Sequence, residues 1–163
     1  LAQIQRGLAR HPVHCLEGGR RAIVACLLRQ PRNPSASLDV FFILRAAASS
    51  RSAGSNRWSG QVGFPGGHAH DGETDHEAVS RECLEEVGFS LDETSFRHLG
   101  CVKERYVPNA RGLVVACHVY EQLADCPQQL QTSEVAACGW APLSALLAED
   151  CARPPALCDK YFS

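Results

Sequence analysis

The sequence predicts an α/β sandwich with a mixed sheet, on three observations. Short β-branched and aromatic runs lie both before and after one strongly marked helix. That helix carries Val79, Cys83 and Val87 at four-residue spacing, an apolar stripe suited to packing on a sheet. The 163 residues, 45% hydrophobic and 21% charged, match one domain spanning 1–163 with a single sizeable core. Strands flanking a covering helix make a layered α/β architecture.

The elements follow in order. Residues 2–10 can form a short helix. Residues 22–30, "AIVACLLRQ", read as a buried strand, and 39–45, "DVFFILR", as a second. Between them "PRNPSAS" is a loop. Residues 46–59 are rich in Ala, Ser, Arg and Gly and form a loop, either a lid over a site or a tolerated insertion. Residues 60–67 contain "FPGG". Pro65 restricts one φ and the two glycines free the next two, so a tight turn is expected. Thr74 and Glu77 match a capping box, the helix should run to Val87, and Gly88 should stop it. Leu84 is expected to widen the packed face. Strands are predicted at 97–107, 113–121 and 134–140, and a terminal helix at 141–150.

The net charge of −2 argues against bulk electrostatic binding of nucleic acid or an anionic membrane. No apolar run is long enough for a transmembrane helix. Nine cysteines, with no Cys-x-x-Cys pair and several inside apolar runs, read as small buried hydrophobes in a reducing compartment, cytosol or mitochondrion. Composition leaves the oligomeric state open, a homodimer included.

Glu82, Glu85 and Glu86 crowd one helix. Like charges at this spacing repel, so something must offset them. At about 100° per residue they share an arc of about 100°, read as facing away from the apolar stripe. Three oxygen donors at one spot suit a hard cation, Mg²⁺ or Mn²⁺. His68, His70 and His76 flank this stretch without matched partner spacing and are expected to be exposed loop residues.

Gly67, five residues, Glu73, seven residues, then "RECLEEVGF" resembles the Nudix box. Gly67, Glu73, Arg81, Glu82, Glu85, Glu86 and Gly88 fill every fixed position, with Cys83 and Phe89 in the apolar slots. The resemblance implies a Nudix-type α/β/α sandwich and hydrolysis of a diphosphate joined to a nucleoside. It implies that Glu82, Glu86 and the Gly66 carbonyl hold metal, with Glu85 a third ligand or the base. Arg81 would orient the carboxylates, and Glu73 would support that array one bond removed from the metal.

Upstream, "ILR" and "GQVGFPGG" resemble the extra motif of Nudix enzymes that cleave coenzyme A, with a longer intervening loop and Asn56 where the pattern has arginine. Arg45 and Arg57 are the expected phosphate-binding cations and Gly67 the close backbone approach. Arg51 reads as a surface charge. Trp58 is read as stacking an adenine or packing as part of a lid. Glu134 is a candidate extra acid near the metals. The expected substrate is a small nucleotide: coenzyme A or a derivative, or else a damaged nucleoside triphosphate, ADP-ribose, a dinucleotide or an RNA 5′ end. A non-catalytic nucleotide-binding module is the reading from a different class, and the full set of acids argues against it.

Overall fold

The computed structural model describes residues 1–10, 15–17, 19–33, 35–47 and 58–147. Alternation sets the first strand: in β1 (Arg20–Arg29) Ile23, Ala25 and Leu27 are buried on one face, while Cys26 and Leu28 point to the other. β2 (Asp39–Arg45) begins and ends as the residue pattern requires. β1 and β2 pair only at Leu28–Val40 and Arg29–Asp39, then part. Two short strands fill the split: β3 (Val62–Gly63) on β2, and β4 (Gly66–His68) on β1. The glycine-rich stretch is therefore more than the expected turn. Its small residues let backbone lie against backbone in a second pairing.

The central helix α2 (Asp75–Val87) has the expected capping box at Thr74 and ends at Gly88, which has φ 75°. β5 (Phe96–Tyr106), β6 (Leu113–Gln122) and β7 (Val135–Pro142) complete the sheet within one or two residues of expectation. β1 and β6 run parallel and the other pairs antiparallel, so the sheet is mixed. Helix α2 covers one face, with its Val79 and Cys83 in the same core cluster as Phe41, Phe89 and Tyr120. Helix α1 (Ala2–Ala9) covers the other through Leu1, Ile4 and Leu8. The short α3 (Leu143–Leu146) joins α1 there through its two leucines. This is the α/β/α sandwich. Of the expected terminal helix at 141–150, Ala141 and Pro142 instead end β7 and the helix stops at Leu146; 148–150 lie outside the described residues, as does most of the 46–59 loop.

Two readings of α2 need correction. Leu84 is 56% exposed and not part of the packed face, whereas Glu86 is 1% exposed. Glu86 follows Val79 by seven residues and so lies on the same line of the helix. The helix turns that line to the sheet, because β4 offers Glu86 a buried backbone N–H. Leu84→Asp is therefore expected to shift unfolding free energy by no more than about 0.5 kcal/mol in urea titration.

Among the described residues no helix is long and apolar enough to cross a membrane. The seven described cysteines are free. Burial pushes the thiols of Cys26 and Cys117 up to about 11 and about 12, which leaves them protonated and unreactive.

Candidate active site

Arg81 is the hub of the carboxylate face. Its Nε and Nη2 donate to the two oxygens of Glu73 at 2.8 and 3.0 Å, a bidentate pair. Its Nη1 donates to Glu82 at 2.9 Å and to Glu85 at 3.3 Å, and Nη2 also reaches the His68 carbonyl at 3.1 Å. Arg81 holds the Glu73 carboxyl down to about 2, helped by the His70 backbone N–H. In return, chiefly through Glu73, Arg81 itself is held above the usual guanidinium range. Like charges on this face are thus offset by one shared cation, with Glu82 and Glu85 presented from it.

Glu86 stands apart from that hub. Its Oε2 accepts from the Gly66 N–H at 2.8 Å, and its Oε1 lies 3.6 Å from Arg45 Nη1. Burial pushes its carboxyl up to about 7, against the pull of Gly66 and Arg45; the charges of Glu82 and Glu134 push it further. Glu134 lies one residue before β7. Arg45 Nη2 also donates to the Gly66 carbonyl at 2.6 Å.

Backbone geometry makes these approaches possible. Gly66 has φ 141°, and a Cβ there would collide with the Ile23 carbonyl oxygen. A Cβ on Gly67 would lie 2.5 Å from Glu82 Oε1. Gly67→Ala must therefore displace the Glu82 carboxylate. Its kcat is expected to fall about 100-fold, since a shift of about 1 Å in a catalytic group costs that much. Circular dichroism should show the fold retained.

The split between β1 and β2 opens a cleft of about 470 Å³. Arg45, Gly66, Gly67, His68 and Trp58 line it together with apolar strand residues. Arg57 and Arg51 lie outside the described residues. Residue order alone did not single out Gln61 or His68 as cleft residues. Gln61 lies within the quoted "GQVGFPGG" without a role of its own, and His68, expected on a loop, ends strand β4, whose pairing with β1 brings it to the cleft. Of the three flanking histidines, His70 and His76 are exposed on the loop and first helical turn, and His76 contacts the Tyr120 hydroxyl at 2.9 Å.

Among the described residues no three His, Cys, Asp or Glu side chains are arranged to hold a metal on their own. An all-oxygen set of two carboxylates and a backbone carbonyl still fits a hard cation. Mg²⁺ commonly takes one or two carboxylates and completes its shell with water and substrate phosphates.

The family model for the NUDIX domain matches residues 19–157. The chain belongs to the Nudix family. Among solved structures, this Nudix chain resembles a MutT/nudix family protein from Enterococcus faecalis (TM-score 0.59, 16% identity), covering 87% of this chain and 51% of that one. It spans about half the length of that relative. It also resembles a C. elegans Ap4A hydrolase in a binary complex (TM-score 0.59, 15% identity), covering 78% and 83%. A third likeness is to the NUDIX domain of Shewanella oneidensis NrtR complexed with ADP ribose (TM-score 0.57, 21% identity), covering 87% and 84%. At these identities the likeness is one of fold. No curated protein matches the sequence.

Proposed function

We propose that this chain hydrolyses the diphosphate of coenzyme A or a coenzyme A derivative, with Mg²⁺ or Mn²⁺ as cofactor, in a reducing compartment such as the cytosol or mitochondrion. One observation carries the substrate. From Gly66 and Gly67 the cleft continues along Ala22, Val24, Val62, Phe64, Leu113 and Val115. The diphosphate of coenzyme A bears a long, uncharged pantetheine arm, which such a floor suits better than a second charged nucleotide. The "FPGG" turn and Arg45, which carry the resemblance to the coenzyme A branch, border the same cleft.

Glu82, Glu86 and the Gly66 carbonyl are the proposed cation donors. Such a cation neutralises the diphosphate and lowers the pKa of the attacking water. Arg81 keeps Glu82 and Glu85 aimed, and Glu73 fixes Arg81. Glu85, 57% exposed at its side chain, is the acid best able to meet water and take its proton. Glu134 adds negative charge beside Glu86. Trp58 borders the cleft and offers a face on which an adenine can stack; Arg57, outside the described residues, is proposed for the phosphates of the same nucleotide on its residue type alone.

The test is hydrolysis of coenzyme A with Mg²⁺ or Mn²⁺, products separated by chromatography. Release of 3′,5′-ADP and 4′-phosphopantetheine is expected. Absence of both products, with cation binding demonstrated, would transfer the same chemistry to another diphosphate-bearing nucleotide. The fold likeness to an Ap4A hydrolase and to a domain complexed with ADP ribose keeps that second reading in view.

A further inference from the structure

The pairing of β2 with β7 slips at one place. Leu44 faces Ala137, but Arg45 faces Val135, so Ala136 has no opposite residue. Such a bulge re-aims the side chain beside it. Here that side chain is Arg45, and it meets two atoms at once: the Gly66 carbonyl oxygen at 2.6 Å and Glu86 Oε1, 3.6 Å from its other terminal nitrogen. Both belong to the donor set assigned above to a divalent cation. The guanidinium also lines the cleft, with its side chain 23% exposed, while that of Glu86 is 1% exposed.

We infer that Arg45 is a positioning residue with two successive partners: the Gly66 carbonyl with Glu86 first, and the substrate diphosphate once a divalent cation has taken those two groups. The inference rests on the cation-dependent reading of the site. A guanidinium and a divalent cation on one buried carboxylate repel each other, and solvent screens them poorly there. The displaced guanidinium stays in the cleft wall, and its planar fork matches two phosphate oxygens. Arg45 thus keeps Glu86 and the Gly66 carbonyl aligned in the free protein and couples cation arrival to diphosphate capture. In this role it competes with the cation and assists the substrate, opposite effects that a purely structural arginine would not produce.

The test measures Mn²⁺ binding by electron paramagnetic resonance without nucleotide, then binding of α,β-methylene-ADP by calorimetry at saturating Mn²⁺. Arg45→Met is expected to bind Mn²⁺ about tenfold more tightly, because a like charge is gone. It should bind α,β-methylene-ADP about tenfold or more weakly, because the fork is gone. Arg45→Lys keeps the charge, so its Mn²⁺ affinity should stay near wild type while its nucleotide affinity falls. Unchanged or weaker Mn²⁺ binding in Arg45→Met, with wild type binding Mn²⁺ normally, overturns the inference and leaves the cation site standing. Failure of the wild type to bind Mn²⁺ overturns the cation site itself and the inference with it. Should Arg45→Met fail to fold, Arg45→Lys decides: wild-type affinity for α,β-methylene-ADP sinks the inference.

Discussion

Glu86→Gln is expected to lower kcat more than about 100-fold with the fold intact. Loss of a group that merely supports a metal ligand already costs about 10–100-fold, and Glu86 is placed as a ligand itself. Gln has the same shape, and its carbonyl oxygen can still accept the Gly66 N–H, so the contact of α2 with β4 survives. Its missing charge removes the attraction for a cation. The readouts are turnover, and the rise in Tm on adding Mg²⁺. Wild type should gain stability with Mg²⁺ by mass action, and Glu86→Gln should gain much less. Full activity in this variant would overturn the placement of the cation.

Arg21→Leu should produce the largest loss of stability, about 2–4 kcal/mol in urea unfolding at neutral pH. Arg21 Nε and Nη2 hold Asp75, the first residue of α2, at 2.6 and 2.5 Å. The same Nη2 holds Glu104 of β5 at 2.5 Å, and the Glu104 side chain is 1% exposed. Among the described residues, removing the arginine leaves this buried carboxylate with only the Leu16 N–H, at 2.6 Å. The pH dependence follows from the same contacts. Arg21 pulls both carboxyls below their usual range. Their contribution is therefore present above the unfolded values of about 4, and is lost as pH falls through the lowered folded values. In the variant, burial without the guanidinium raises the Glu104 carboxyl, so ionisation costs stability as pH climbs. The difference between wild type and variant should be small near pH 3 and reach its full size at neutrality. A difference that does not change with pH would show that lost packing of the arginine stem, and not the ion pairs, is responsible.

Strands, caps and the acid-bearing helix were legible in residue order because each is coded over a few neighbours. The apolar, partly β-branched run "AIVACLL" marks β1, and Thr74, Glu77 and Gly88 bound α2. The spacing from Gly67 to Gly88 announced the family and the set of acids. Helical periodicity states which residues share a line, but not which line meets the sheet. Tertiary contacts decided that, burying Glu86 on Gly66 and leaving Leu84 in water. Pairings between distant segments decided the rest. The parting of β1 from β2 makes the cleft, the slip against β7 sends Arg45 to Gly66 and Glu86, and the register of β1 with β6 and β5 carries Arg21 to Glu104, 83 residues away. Such contacts have no local signature. They exist only once the sheet has set its order, because their energy depends on burial that no single segment provides.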